Sequence, residues 1–336
     1  MTTLDGAAVP VHTVSVVVPV YGGESHLRQL AEEVAESTTD RVSPDGHVYR
    51  VSELLLVDDC GPDRSDEVIR ELEATHSWVR GVWLSRNFGQ HAATIAGMAS
   101  SGAEWIVTLD EDGQHDPAEI GVLLDSAMRH QSTLVYAAPV NAAPHTWFRR
   151  VTSRVAKRVV NVLSGGQDAS VFQSYRLMTG EVGRSVAAYA GSGIYLDVAL
   201  GWVASVPSTA PVHLREEAGR PSGYRTRTLL SHFWRLVVSS GTRSLRLASL
   251  LGVACATLGL LLAGTLVLMR VFGDAPVQGW TSLMVVMLLC TGLLLFVLGI
   301  VAEYLGVAVG MAMGKPLYVI TQDRARGPLG RGRGRP

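Results

Sequence analysis

The segment WIVTLDEDGQHDP, residues 105–117, joins an apolar run directly to a cluster of acidic side chains. An apolar, β-branched run of this kind is typical of a strand buried in a sheet. If the strand continues into the cluster, its period of two points Asp110 and Asp112 in the same direction. Two such carboxylates suit Mg²⁺ or Mn²⁺ and, through the metal, a diphosphate. The alternative is a solvated acidic turn that caps the helix expected from Pro117.

The order of strand, polar loop and helix occurs four times in the first 130 residues. Each apolar run is followed by polar residues and then by a segment with helical periodicity. The predicted strands are 14–20, 53–57, 79–84 and 105–109, with a fifth candidate at 134–138. Such alternation favours an α/β fold that contains a parallel sheet with right-handed crossovers.

Ligands of sheets of this type bind beyond the carboxyl ends of the strands. The polar residues that follow the four strands are Tyr21 and Glu24, Asp58 and Asp59, Arg86 and Asn87, and Asp110 and Asp112. Because all of them fall at one edge of the predicted sheet, a binding site is favoured over solvated turns. No GxGxxG or Walker A sequence is present, so the phosphates are expected to be held by a metal.

Two stretches near the C-terminus, 248–269 and 280–302, have no charged side chain, and each is long enough to cross a hydrocarbon core of about 30 Å. They predict transmembrane helices over 248–270 and 280–303, against the alternative of two buried core helices. Lys and Arg residues flank the pair, whereas the linker 273–279 has none. The positive-inside rule therefore predicts a multi-pass protein of the plasma (inner) membrane with both termini in the cytoplasm.

The remaining segments complete the expected domain organisation. We expect a disordered leader over 1–12, a catalytic domain over 13–225, an interfacial amphipathic helix over 226–247 and a cytoplasmic juxtamembrane segment with a basic tail over 304–336. A second amphipathic pattern covers 149–162. The basic tail is expected to contact anionic lipid and no nucleic acid. The three cysteines are widely separated, which indicates neither a disulfide framework nor a zinc site.

Four strings, VVVPVYGGE, ELLLVDDCGPDRS, LSRNFGQHAATIAG and VTLDEDGQHDPAE, resemble the serial motifs of family 2 glycosyltransferases with the GT-A fold. The chain is most similar to the polyprenyl-phosphate glycosyltransferases, the group that contains dolichyl-phosphate mannose synthase and bacterial undecaprenyl-phosphate sugar transferases. The likeness runs from about residue 14 to residue 318. It implies a Rossmann-like, mostly parallel GT-A domain followed by interfacial helices and two transmembrane helices.

The resemblance also implies roles for individual residues. The nucleotide-binding set is Pro19, Tyr21, Glu24, Asp58, Asp59, Arg86, Asp110 and Gln114. Asp110 and Asp112 match the metal-binding DxD motif. Three departures from the family pattern are Gly22-Gly23 in place of Asn-Glu, Cys60-Gly61 in place of Gly-Ser, and His115, which lengthens the spacing after Gln114 by one residue.

The implied reaction is inverting transfer of one sugar from a UDP- or GDP-linked donor to polyprenyl (undecaprenyl) phosphate on the cytoplasmic face. A metal held by Asp112, assisted by Asp110, would stabilise the departing diphosphate. Candidate groups for the acceptor phosphate are Arg176, Arg215, Arg220, Ser222 and Tyr224. Asp168 is a candidate to orient the acceptor or act as a base, so the catalytic set is Asp112, Asp168 and Arg176. The expected partners are the donor, the acceptor and membrane lipid, and homo-oligomerisation stays open.

Two other functions remain open at this point. A processive polysaccharide synthase shares these motifs, and Gln173-Ser174-Tyr175-Arg176-Leu177 approaches its QxxRW box, but the Trp is absent. Two spans are also few to line a pore. A non-catalytic membrane scaffold that binds nucleotide is kept open by the departures at 22–23 and 60–61.

Overall fold

The computed structural model describes residues 3–4, 7–8, 10–141, 171–191, 195–204, 206–215 and 279–327, with scattered positions between 252 and 268. Several sequence-based expectations lie outside these residues. They are the roles of Asp168, Arg220, Ser222 and Tyr224, the amphipathic segments 149–162 and 226–247, and the tail beyond 327.

A mixed sheet forms the centre of the protein. Its strands are β3 (Val11–Val20), β4 (Arg41–Val42), β5 (Val48–Asp58), β6 (Val79–Leu84), β7 (Trp105–Thr108), β8 (Leu134–Pro139), β9 (Arg176–Thr179), β10 (Ser208–Val212) and β11 (Ile320–Thr321). The spatial order is β10-β8-β9-β7-β3-β5-β6-β11, and β4 pairs with β5. Two short strands, β1 (Thr3–Leu4) and β2 (Ala7–Ala8), pair with each other outside this sheet.

Most pairs among the long strands are parallel, as the sequence predicts. β3 is parallel to both β5 and β7, β5 is parallel to β6, and β8 is parallel to β10. The exceptions are β9, which lies antiparallel between β7 and β8, and the two-residue strands β4 and β11, which run antiparallel along β5 and β6. The α/β class and the mostly parallel, GT-A-like sheet are therefore confirmed.

Helices cover both faces of the sheet. They are α1 (Leu27–Ala35), α2 (Ser65–Thr75), α3 (Gln90–Ser100), α4 (Ile120–His130) after a 3-10 turn at Pro117–Glu119, α5 (Gly180–Tyr189), α6 (Leu196–Val203) and α7 (Trp280–Ala312). Alternate residues of β3 pack on opposite sides. Val16 and Val18 face α1, α2 and α4, whereas Val17 faces α3, α5 and α6. A β-branched strand buried on both faces therefore explains the valine run.

The cluster after β7 differs from expectation in one respect. β7 ends at Thr108, and residues 111–112 form a turn. The argument that strand alternation aligns Asp110 with Asp112 therefore does not hold, because alternation applies only within a strand.

Helix α7 continues beyond the predicted span 280–303 and ends at Ala312. Its segment Leu289–Ala312 has a mean hydropathy of 2.3 and no buried portion, so it is long and apolar enough to cross a membrane. It is the one such segment among the residues that the structure describes. In the predicted first span, positions 252–255, 257, 259, 261, 264–265 and 268 are helical. A two-span topology stays a prediction.

The segment that follows α7 returns to the sheet. Ile320 and Thr321 pair with Leu84 and Trp83, and the backbone N–H of Ser85 donates to the carbonyl of Val319 at 3.0 Å. Asp323 is 4% exposed and accepts a hydrogen bond from Arg70 Nε at 2.9 Å. The segment after α7 therefore closes the β6 edge of the sheet.

Candidate active site

Four parallel strands end at the same edge of the sheet, and the loops that follow them contact one another. We call residues 21–24 the Tyr21 loop and residues 109–116 the acidic loop. Glu111 of the acidic loop reaches the Tyr21 loop, and Asp59 after β5 reaches Phe88 after β6. The predicted convergence of these polar loops is therefore present in the fold.

Asp110 is held by two side chains from other elements. Its Oδ1 accepts from Gln90 Nε2 at 2.6 Å, and its Oδ2 accepts from Ser174 Oγ at 2.5 Å. Its backbone N–H donates to His115 Nδ1 at 3.0 Å. His115 is buried against Tyr175, and burial lowers the pKa of its imidazole despite the nearby carboxylates. The inserted His115 is thus a neutral acceptor that orders the acidic loop, with its hydrogen on Nε2.

Asp112 is exposed, and among the described residues its hydrogen bond is the one that Oδ1 accepts from the Gln114 N–H at 3.1 Å. No group of three or more potential metal ligands occurs in the described parts of the chain. Asp110 and Asp112 lie two residues apart in the acidic loop, and one or two carboxylates suffice for an Mg²⁺ that waters and substrate phosphates also coordinate. The residues present therefore fit a metal that arrives with a diphosphate.

Glu111 lies between these two aspartates and makes different contacts. Its carboxylate accepts the backbone N–H groups of Tyr21 and Gly22 at 2.8–3.1 Å. Burial raises the pKa of Glu111, and the charges of Asp63 and Asp110 add to this, while the two backbone donors oppose it. Glu111 thus ties the acidic loop to the Tyr21 loop.

The Asp58 and Asp59 side chains have separate environments. Asp58 is 9% exposed, and burial with the neighbouring charge of Asp66 raises its pKa to about 6. Asp59 accepts the backbone N–H groups of Phe88 and Gly89 at 2.7 and 2.8 Å. Asp59 therefore fixes the loop after β6, and its predicted contact with the nucleotide stays a prediction.

Of the departure at Cys60-Gly61, the geometry explains the glycine at 61 and not the cysteine at 60. Cys60 has a φ of 55°, a left-handed conformation that glycine adopts without steric cost. A Cβ on Gly61 would lie 1.7 Å from the carbonyl oxygen of Tyr21, so only glycine fits there. The Cys60 thiol donates to the carbonyl of Leu84 at 3.0 Å, and Arg324 approaches its Sγ at 3.0 Å. The segment after α7 thereby contacts the loop that follows β5.

The other members of the predicted nucleotide set differ in exposure. Tyr21 is 49% exposed. Glu24 forms an ion pair with Arg64 at 3.2 Å, and the Arg86 guanidinium lies 4.1 Å from the centre of the Phe88 ring. Pro19 is buried within β3. Its missing N–H is tolerated there because β3 pairs with β7 only as far as Val17.

Two predicted phosphate ligands are engaged with carboxylates of this chain. Arg176 is 3% exposed and forms a buried ion pair with Asp197, which also accepts from the Tyr136 hydroxyl at 2.9 Å. Arg215 binds Glu33 at 2.6 Å and Asp116 at 2.8 Å. In this arrangement both guanidinium groups are occupied, and their contact with an acceptor phosphate stays a prediction.

The sequence did not single out several residues that shape this edge. Gln90 and Ser174 lie inside strings that were noted for their resemblance, but their contact with Asp110 depends on packing between separate elements. Asp197 follows an apolar stretch and has no motif around it. Arg324 was assigned to the basic tail, because the return of the chain to β6 has no sequence signal.

Comparisons with known proteins show which family the chain resembles. The profile described as Glycosyl transferase family 2 matches residues 15–184. The undecaprenyl-phosphate 4-deoxy-4-formamido-L-arabinose transferase of Pseudomonas fluorescens (strain SBW25) is 30% identical over 93% of this chain and 89% of its own. The uncharacterized glycosyltransferase YkcC of Bacillus subtilis (strain 168) is 29% identical over 92% and 93%.

A solved structure with a similar fold is glucosyl-3-phosphoglycerate synthase from Mycobacterium tuberculosis. It is 18% identical, and the match covers 69% of this chain and 79% of that one with a TM-score of 0.47.

Proposed function

This chain belongs to glycosyl transferase family 2 and is a glycosyltransferase, and from this premise we propose that it transfers one sugar to a polyprenyl phosphate. The donor is a UDP- or GDP-linked sugar, and the acceptor is undecaprenyl phosphate or a similar lipid. Relatives named undecaprenyl-phosphate transferases, aligned over more than nine tenths of this chain, support this acceptor.

The arrangement of the acidic loop carries the proposal. Asp112 is exposed beside Asp110, at the edge where Tyr21 and Asp58 also lie. We assign Asp110 and Asp112 to the metal and Gln114 to the diphosphate side of the site. A bound Mg²⁺ or Mn²⁺ would offset the negative charge that develops on the departing diphosphate.

The donor nucleotide is assigned to the neighbouring loops. The exposed ring of Tyr21 offers a surface on which a base can stack, and the carboxylates of Glu24 and Asp58 are hydrogen-bond acceptors for base or ribose. Arg86 supplies a positive charge near the phosphates. Asp59 acts through the backbone of Phe88 and Gly89, which it holds in place.

The acceptor needs charge compensation more than it needs a base. A phosphate monoester is already ionised near neutral pH, because its second pKa is about 6. The groups that we propose for it are Arg220, Ser222 and Tyr224, with Asp168 as the residue that orients it. Arg176 and Arg215 can take part only by loosening their present ion pairs. A single displacement inverts the anomeric configuration.

We also propose that the protein acts at the cytoplasmic face of the membrane. The apolar helix Leu289–Ala312 supports an anchor, and the distribution of Lys and Arg favours cytoplasmic termini. Two spans, with the first over 248–270, would return the chain to the side of the catalytic domain. The docking of β11 on β6 agrees with this, since it requires both on one side.

The test is a reconstituted transfer reaction. Purified full-length protein is incubated with undecaprenyl phosphate, Mg²⁺ or Mn²⁺ and a panel of UDP- and GDP-sugars, and the lipid products are analysed by mass spectrometry. A lipid that carries one sugar supports the proposal. A long polymer would instead identify a processive synthase, and nucleotide binding without product in every combination would identify a scaffold.

A further inference from the structure

We infer that Glu111 is a positioning residue that fixes the Tyr21 loop to the acidic loop, with Gly23 as its structural partner. The inference rests on the proposed function, which assigns the Tyr21 loop to the donor nucleotide and the acidic loop to the diphosphate. It gives a role to the acidic residue between Asp110 and Asp112, which neither the motif nor the proposed reaction uses.

The contacts of Glu111 identify what it holds. Oε2 accepts from the Tyr21 N–H at 2.8 Å, and both carboxylate oxygens lie within 3.1 Å of the Gly22 nitrogen. Successive backbone N–H groups form a small anion-binding concavity. Because both oxygens are directed to that concavity, the Glu111 carboxylate is turned away from the role of metal ligand.

Gly23 provides the space for this carboxylate. A Cβ at position 23 would lie 2.8 Å from Glu111 Oε2, which is closer than real Cβ atoms come to an oxygen. At Gly22 an added Cβ would have nothing within 4 Å. Of the two glycines that depart from the family pattern, Gly23 is therefore the one whose lack of a side chain makes room for Glu111, about 90 residues further along the chain.

Other hydrogen bonds also hold the rest of the Tyr21 loop in place. Ser65 Oγ accepts the Gly23 N–H at 3.0 Å, and Asp63 accepts the Glu24 N–H at 3.0 Å. The carbonyl of Tyr21 lies against Gly61. These contacts join the Tyr21 loop to the loop after β5, and Glu111 alone among them joins it to the acidic loop. The exposed Tyr21 ring is thereby set relative to Asp110.

The experiment is a double-mutant cycle on the full-length protein. Nucleotide affinity is measured by calorimetry with UDP and with GDP, each with and without Mg²⁺, for Glu111→Ala, Gly23→Ala and the double variant. Gly22→Ala is the matched control. If Glu111→Ala does not fold, Glu111→Asp replaces it, since that side chain keeps the charge but is too short to reach the Tyr21 loop.

Glu111→Ala and Gly23→Ala are each expected to weaken the affinity about tenfold, a size typical of losing charge-assisted hydrogen bonds. In the Glu111→Ala background, Gly23→Ala should have a smaller further effect, because the carboxylate is gone and the remaining close contact of the added Cβ is with Leu27 Cγ at 3.2 Å. Gly22→Ala adds a Cβ that has nothing within 4 Å, so it should weaken the affinity less than Gly23→Ala does. The loss of nucleotide affinity in Glu111→Ala should be equal with and without Mg²⁺. In the transfer reaction, the KM of this variant for the donor should rise while its kcat changes little.

Independent, additive effects at 23 and 111 would overturn the inference, as would a loss that appears only when Mg²⁺ is present. The second result would make Glu111 a metal ligand. A wild-type protein that binds neither nucleotide and makes no product would instead overturn the proposed function, so the two failures are distinguishable.

Discussion

Replacing Asp58 with asparagine is expected to stabilise the protein, and more strongly as the pH rises. Asp58 ends β5 with 9% of its surface exposed, and burial raises the pKa of its carboxyl to about 6, from an ordinary value of 3.8. The folded protein therefore keeps this proton to a higher pH than the unfolded chain does. Ionisation of Asp58 opposes folding, since a buried carboxylate loses its hydration.

The size of the effect follows from the displacement of the pKa. A rise in the pKa of Asp58 from 3.8 to about 6 lowers the free energy of unfolding by at most about 3 kcal/mol at 25 °C. The destabilisation is absent below about pH 4, develops as the pH rises to about 6 and is complete above it. The asparagine variant carries no such charge. The difference in free energy of unfolding between the variant and the wild type should therefore grow by about 2 kcal/mol between about pH 4.5 and about pH 7.5.

The measurement is thermal unfolding of the ligand-free protein in detergent at the two pH values. Asp40→Asn is the control, because Asp40 is an exposed carboxylate 3.7 Å from Arg50 and its removal releases no buried charge. An advantage of Asp58→Asn that is equal at both pH values, or that shrinks as the pH rises, would refute the reasoning. So would an equal gain in the Asp40→Asn control.

Three further predictions concern other parts of the protein. Asp112→Ala should abolish sugar transfer while membrane insertion is kept, and near-normal product formation would mean that the metal assignment is wrong. Arg176→Met should lower the free energy of unfolding by about 3–5 kcal/mol, because Asp197 becomes a buried, unpaired charge, and thermal unfolding should show most of the loss recovered in Arg176→Met/Asp197→Leu. Asp323→Ala should remove the hydrogen bond between Arg70 and the segment after α7 and speed tryptic cleavage of that segment, and unchanged cleavage would contradict its docking.

Much of the sheet could be predicted because its signals are local. The valine run of β3 and the leucine run of β5 are buried on both faces, and a strand in that position has to be apolar throughout. The four repeats then fix which loops share an edge. β9 was not foreseen as an antiparallel member, because its position between β7 and β8 depends on pairing between distant segments.

The site was predicted less completely, for a physical reason. The sequence does not show which group an arginine pairs with. Arg176 was therefore predicted to bind a phosphate, whereas in the structure it forms a buried ion pair with Asp197. Glu111 was left without a role because its contacts are backbone N–H groups, which every residue has. Asp112 was selected by its position after the fourth predicted strand, in line with three other polar loops, together with the DxD motif, and its role as a metal ligand stays a prediction.

The attachment of β11 to β6 also bears on the order in which the protein is built. Thr321 contacts Trp83, which was added to the chain 238 residues earlier. During synthesis β6 therefore remains an open strand edge, and open edges favour pairing with other chains. Helix α7 precedes β11, so the apolar helix leaves the ribosome before the sheet can close. The sheet thus acquires its last strand, and Arg324 its place beside Cys60, only after the apolar helix α7 has been made.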